Sequence, residues 1–320
     1  MRIVFALDDG ALFRRGETLT AEHQARGIRN AAAALAPVCV AGHQVVITHG
    51  NGPQVGLLAL QAAATPDIPY PLDILDARGA GMIGYLIEQQ LMNVLPASTL
   101  VAALLTQVRV DRHDPAFRKP AKPIGAVYAE SEARAVAAER GWRVAANGAG
   151  WRRMVASPAP VEILEARIIE LLIERNVIVI CTGGGGIPVI ELEDGSLTGI
   201  EAMIDKDAAS ALLARQLGAD WLVMLTDVDA LYPDRGSEAA RPVRHMTAHE
   251  LAAADFPSES MGPKVRAACD FVNETGKRAG IGALGDASAI IEGTAGIIVS
   301  VDPGKPDGPD RQRGGATTRP

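Results

Sequence analysis

Short apolar runs alternate with longer amphipathic stretches along this chain. Val4 to Leu7, Val45 to Thr48, Val177 to Cys181, Trp221 to Leu225 and Ile297 to Val301 are apolar runs of strand length. Their length and bounding turn residues predict buried strands. Between them, Ala21 to Leu35, Gly81 to Val94, Val161 to Glu174 and Ala208 to Leu217 carry Ala and Leu at helical spacing. Such alternation predicts a mostly parallel sheet with helices on both faces.

Two stretches break the pattern. Arg109 to Pro160 holds Pro115, Pro120, Pro123, Pro158 and Pro160 together with Trp142 and Trp151. It reads as an excursion or small subdomain hung on the sheet. From Asp302 to Pro320 no large apolar side chain occurs, and Gly, Pro and charge dominate. A disordered tail is expected there.

Composition narrows the class. With 320 residues the chain can bury a large core, and 33 glycines suit many tight strand-to-helix turns. Aromatic content of 4% argues against base stacking, and a net charge of -7 argues against nucleic acid or a membrane surface as partner. Cys39, Cys181 and Cys269 are widely separated, so neither zinc nor a disulfide framework is indicated. The chain opens directly on a strand, Arg2 to Leu7, without a signal-peptide pattern or a run long enough to span a membrane. A cytoplasmic protein is expected.

The candidate chemistry sits where strands stop. Ile47-Thr48-His49-Gly50-Asn51-Gly52-Pro53-Gln54-Val55-Gly56 leaves a strand through glycines and opens a helix. Bare backbone N–H groups at a helix N-terminus attract anions. Val177 to Cys181 likewise runs into Thr182 and then Gly183 to Gly186. Four consecutive glycines are costly in chain entropy, and close approach of a phosphate to the backbone would explain them. Two anion cradles on one sheet suggest phosphoryl transfer between two bound molecules.

Three further clusters fit that chemistry. Ile204-Asp205-Lys206-Asp207 leads into a helix, and Met261-Gly262-Pro263-Lys264 leads into another, Val265 to Asn273. Lysines there could neutralise charge on a transferring phosphoryl group, with a carboxylate holding their geometry. Thr226-Asp227-Val228-Asp229-Ala230-Leu231-Tyr232 follows the strand Trp221 to Leu225, at the strand's carboxyl end where open α/β sheets bind ligands. The chain holds neither a P-loop nor a protein-kinase signature, and no Gly-x-Gly-x-x-Gly occupies the first turn.

Taken together, these clusters resemble carbamate kinase, of the amino-acid kinase family. The resemblance runs from Met1 to about Val301. It rests on Thr48 to Gly56, Asp114-Pro115-Ala116-Phe117, Lys122-Pro123-Ile124-Gly125, Gly150-Trp151-Arg152-Arg153, Gly183 to Gly186, Asp205-Lys206-Asp207, Thr226-Asp227-Val228-Asp229 and Met261 to Lys264. The Lys122 and Gly-Trp-Arg-Arg segments set carbamate kinases apart from acetylglutamate, aspartate and uridylate kinases.

The resemblance implies a three-layer α/β/α sandwich over residues 1–301 and a homodimer. It implies a carbamate-side lobe (1–215), a protruding subdomain (111–157), a nucleotide lobe (216–301) and a tail (302–320). Gly50, Asn51 and Gly52 would hold the small acid, and Lys122 would reach over it. Lys206 and Lys264 would contact phosphates, with Asp207 orienting them. Gly183, Gly184 and Gly185 would approach phosphate, and Thr226, Asp227, Asp229 and Tyr232 would surround the nucleoside. Magnesium would bind with ATP or ADP. The implied reaction is carbamoyl phosphate + ADP ⇌ carbamate + ATP.

The chain departs from that family in two places. Carbamate kinases carry Ala-Leu-Gly-Gly-Asn-Ala-Leu at the first loop, whereas this chain has Ala6-Leu7-Asp8-Asp9-Gly10-Ala11-Leu12. Asp8 and Asp9 bring negative charge to the expected phosphate position. Asp76-Ala77-Arg78-Gly79-Ala80 also replaces small and polar residues ending in a glutamine. A second reading follows from this: a catalytically impaired paralogue with a ligand-binding or regulatory role.

Overall fold

The computed structural model describes residues 1–13, 17–63, 70–148, 150–227, 244–254 and 261–302. Among them, eight strands form the main sheet. Their spatial order is His245–Thr247, Ile297–Ser300, Arg278–Ala283, Trp221–Thr226, Arg2–Leu7, Gln44–His49, Ile178–Ile180 and Val101–Ala103. Every neighbouring pair is parallel except Arg278–Ala283 with Ile297–Ser300.

The apolar runs look continuous because both sheet faces are covered. Val4, Ala6, Val46, Val179, Leu222 and Met224 point into one core, with residues of helices Lys206–Gln216 and Gly262–Thr275. Ile3, Phe5, Leu7, Val45, Ile47 and Val223 point into the other, with helices Ala21–Val40, Leu72–Val94 and Ala287–Ile291. Alternate residues of one strand thus serve opposite layers, and the expected α/β/α sandwich follows.

The excursion is a three-stranded antiparallel sheet, Lys122–Tyr128, Gly150–Val155 and Arg143–Asn147 in spatial order, with helix Glu130–Arg140. That helix stops at Gly141, whose φ of 66° is the left-handed turn that glycine takes at least strain. A small cluster of Val55, Leu72, Leu75, Ile124, Val155 and Met203 packs this piece onto the body.

Three expected elements differ. The stretch Val161 to Glu174 is not one helix: Pro160–Ile163 is a strand paired antiparallel with Gln107–Val110, and the helix is Ala166–Ile173. Glu165 fixes the switch, since its carboxylate accepts the Gln107 N–H at 2.8 Å. Helix Ala21–Val40 runs past Leu35 and through Pro37, and helix Leu72–Val94 begins well before Gly81. The departing segment Asp76 to Ala80 therefore lies inside a helix. The tail from residue 303 onward lies outside the described residues.

Candidate active site

The parallel strands Arg2–Leu7, Gln44–His49, Ile178–Ile180 and Trp221–Thr226 all release their chains at one edge of the sheet. Each candidate loop begins there. After Leu7, the Asp8 N–H donates to Leu225 O at 2.9 Å, and the first loop winds into a single helical turn, Asp9–Leu12. After His49, helix Gly52–Ala63 starts at once. Asp205 caps helix Lys206–Gln216 by accepting the Ala208 N–H at 3.0 Å, which puts Lys206 and Asp207 in its first turn. Pro263 and Lys264 occupy the first turn of helix Gly262–Thr275. Three helix N-termini therefore face one cleft of about 450 Å³, an electropositive setting before any side chain is counted.

Side-chain charge is densely paired there. Lys206 Nζ lies 2.7 Å from Asp207 Oδ1, and Lys264 Nζ lies 3.2 Å from Asp207 Oδ2. Burial works to raise the Asp207 carboxyl, but Lys206 and Lys264 hold it below the ordinary carboxylate range. Burial likewise works to lower Lys206, but Asp207 and Asp8 hold it above the ordinary lysine range. Lys206 and Asp207 thus both stay ionised. Asp8 competes for the same lysines, with Oδ1 at 3.0 Å from Lys264 Nζ and 3.7 Å from Lys206 Nζ. Thr226 Oγ1 lies 3.3 Å from Asp8 Oδ2 and 3.2 Å from Asp227 Oδ1, within donating reach of both carboxylates.

Across the cleft, Asn51 is buried and its Nδ2 donates to Asp76 Oδ1 at 2.6 Å. Asp76 is fully buried, and burial pushes its carboxyl up to about 7 against the pull of the Asn51 hydrogen bond. Burial lowers His49 to about 4, so the ring is neutral near pH 7, with Nδ1 3.0 Å from Gly50 O. Lys122, on the first strand of the protruding sheet, lines the cleft and donates to Ile204 O at 2.8 Å.

The glycine run has a packing reason. A Cβ on Gly183 would press into the His49 ring, one on Gly184 would overlap the Asn51 amide, and one on Gly185 would meet Ile204 O at 2.8 Å. Of the run, Gly184 lines the cleft, while Gly183 and Gly185 are buried behind it.

The structure therefore brings together Asp8, Asp9, Gly10, Gly50, Asn51, Gly52, Lys122, Gly184, Lys206, Asp207 and Lys264. Thr226 and Asp227 join from the rim, through Asp8 and against Gly10. Asp229 and Tyr232 lie outside the described residues. Sequence reasoning missed Asp76 as the partner of Asn51. Its signal was a charge inside the buried stripe Leu72, Leu75, Asp76, Gly79, Ala80, Ile83.

Known proteins resemble this chain in sequence and in fold. Residues 10–282 match the amino acid kinase family. The chain is 49% identical over 303 residues to the carbamate kinase of Rhizobium meliloti (strain 1021), covering 94% of this chain and 93% of that one. It is 50% identical over 301 residues to the carbamate kinase of Haemophilus influenzae, covering 94% and 97%. The structure of carbamate kinase from Giardia lamblia bound to AMP-PNP superposes with a TM-score of 0.86 at 37% identity, covering 93% of this chain and 98% of that one. Likeness of this extent in both sequence and fold decides the matter of kinship: the chain belongs to the amino acid kinase family, among its carbamate kinases.

Proposed function

We propose that this cleft transfers a phosphoryl group between carbamoyl phosphate and ADP, yielding carbamate and ATP. The observation that carries the reading is the Lys206–Asp207–Lys264 cluster facing the Asn51–Gly52 helix start across one cleft. The full-length carbamate kinase relatives support the choice of substrate.

Phosphoryl transfer spreads charge over the oxygens of the moving group, so positioning and positive charge do most of the catalysis. Lys206 and Lys264 supply that charge, and Asp207 fixes both amines. The N–H groups opening helix Gly52–Ala63 face the acid's carboxylate. Lys122 closes over the acid and excludes water. Residues 1–215 then carry the acid side, with residues 111–157 as its cover, and residues 216–301 carry the nucleotide around Thr226 and Asp227. Asp229 and Tyr232 belong to that nucleotide side by sequence.

Magnesium would enter with the nucleotide. Among the described residues no cluster of three His, Cys, Asp or Glu could hold an ion by itself. Magnesium binds through phosphates and one or two carboxylates, and the Asp227 carboxylate at the rim is of the right type. When bound, the ion neutralises phosphate charge.

We assign a homodimer as the working form. Met82, Tyr85 and Met92 are exposed on helix Leu72–Val94, near the sheet's outermost strand Val101–Ala103. No helix of the described residues is long and apolar enough to cross a membrane, and adenine nucleotide substrates fit a cytoplasmic setting.

One observation favours the second reading, an impaired paralogue: Asp8 already occupies Lys264. A coupled assay for ATP formed from ADP and carbamoyl phosphate with magnesium tests the two. Magnesium-dependent turnover is expected. ADP binding without any ATP formed would favour the paralogue.

A further inference from the structure

Asp8 and Asp9 stand side by side but face different parts of the cleft. Asp8 meets the lysines, whereas Asp9 turns toward the acid loop. A Cβ built on Gly50 would overlap Asp9 Oδ1, and one on Gly52 would meet Asp9 Oδ2 at 3.0 Å. The two carboxyl oxygens therefore rest against the two glycines that flank Asn51. Among the described residues the Asp9 side chain makes no hydrogen bond and no ion pair within 4 Å. A flat carboxyl group thus lies unbonded in the notch of the loop assigned to a small flat carboxylate.

We propose that the Asp9 carboxyl is an internal stand-in for the substrate's carboxylate: it fills the Gly50–Gly52 notch when no acid is bound, and it turns out when the acid enters. This rests on the reading of residues 50–52 as the acid subsite. Among the described residues the charged groups facing Asp9 are Asp8 beside it, Lys206 and Lys264 on two helices, and Lys122 on the protruding sheet. Burial first, and Asp8 second, push the Asp9 carboxyl up to about 6 against the pull of the three lysines. Competition for the notch is between the Asp9 carboxyl and the carboxyl of the acid, and Asp9 is covalently tethered in place.

Occupancy and simple repulsion predict different variants. Asp9→Ala empties the notch, while Asp9→Asn keeps a group of the same size without the charge. Calorimetry should show carbamoyl phosphate, whose flat carbamoyl group is the acid's carboxylate with one oxygen bonded to phosphorus, binding to Asp9→Ala about tenfold or more tighter than to wild type, with Asp9→Asn within about threefold of wild type and ADP affinity unchanged in both. Acetate gives a second readout, since it carries little beyond the missing carboxylate. It should raise the melting temperature of Asp9→Ala and leave wild type and Asp9→Asn unmoved. Equal gains in Asp9→Asn and Asp9→Ala would overturn the proposal in favour of charge alone. So would an Asp9→Ala protein indifferent to acetate. An acetate effect confined to Asp9→Ala, with no carbamoyl phosphate binding to any form, would uphold the notch and refute the substrate assignment instead.

Discussion

Replacing Asp8 by Asn should speed phosphoryl transfer. Asp8 Oδ1 lies 3.0 Å from Lys264 Nζ and 3.7 Å from Lys206 Nζ. At an effective dielectric of about 20, each contact is worth roughly 5 kcal/mol of gross attraction. An arriving phosphate must take these lysines from Asp8 and then sit near it. A carboxylate about 4 Å from a phosphate oxygen opposes it by roughly 4 kcal/mol on the same scale. Magnesium and a swing of Asp8 toward solvent reduce this, so the estimate is a ceiling. A residual third of it, about 1.4 kcal/mol, is already tenfold in rate. Asn keeps the shape and an oxygen for the Thr226 hydroxyl, so only the charge changes. Gly10 is best left alone, because a Cβ there would meet Asp227 Cγ at 3.2 Å. The assay is kcat/KM for ATP formation at saturating magnesium. The expected gain is about tenfold or more, bounded near three decades. A rate within about twofold of wild type would mean that Asp8 moves aside freely, and the electrostatic reasoning would fail. A loss of rate would make Asp8 a metal or lysine holder.

Lys206→Ala and Lys264→Ala should each lower kcat by several decades, roughly the scale of lost transition-state charge stabilisation, with circular dichroism unchanged; near-normal turnover in either would remove that lysine from the phosphate site. Lys122→Ala should reduce transfer far more than ADP affinity, and calorimetry showing equal losses would move Lys122 to the nucleotide side. Asp76 titrates near 7 when folded, so the folded state keeps its proton longer than the unfolded chain and loses that stability as pH rises toward and through 7. Urea titrations should therefore show the stability gap shifting by about 1 kcal/mol in favour of Asp76→Asn between about pH 6 and 8. Comparing the two proteins cancels His49, whose lowered value slopes the other way, and a gap independent of pH would mean that Asp76 stays ionised.

Much of the fold was legible because its strands are buried on both faces. Val4 to Leu7 and Trp221 to Leu225 feed two cores at once, so neither needs a polar alternate position. Arg278–Ala283 escaped notice for a physical reason. Its interior reads Ala-Gly-Ile-Gly, weak as a strand signal, yet a Cβ on Gly280 or Gly282 would run into Ile290 of the helix packed on it. The strand is glycine-rich so that a helix can approach. Close packing likewise accounts for the Gly183 to Gly185 run, where the neighbours are His49, Asn51 and Ile204. Sequence showed that a backbone approach was needed there, but not that the approaching atoms belong to the protein. Lys206 and Lys264 were readable because each opens a helix just after a turn. Their pairing with Asp207 came only through the family resemblance, and their pairing with Asp8 was not foreseen, since Asp8, Asp207 and Lys264 meet only when three distant strand–helix units close on one another.

The two carboxylates of the first loop act on opposite ends of the same transfer. Asp8 faces the lysines that meet phosphate, and Asp9 faces the glycines that meet the acid. If the two act separately, Asp8→Asn should change kcat with little effect on acid affinity, and Asp9→Ala should do the reverse. The structure argues for partial coupling, because Lys206 and Lys264 act on Asp9 as well as on Asp8, and Asp8 itself raises Asp9. Removing the Asp8 charge frees the lysines to draw Asp9 more strongly, and it also relieves the repulsion that Asp9 feels in the notch. Both effects keep Asp9 more firmly in its carboxylate form, the form that competes with the acid beside Gly50 and Gly52. The benefit of Asp8→Asn should therefore be partly masked until Asp9 is also removed. A double-mutant cycle would then show a gain larger than the sum of the single gains, by the 0.5–3 kcal/mol typical of neighbouring charged groups. Strict additivity would mean that the loop presents two independent obstacles rather than one coupled pair.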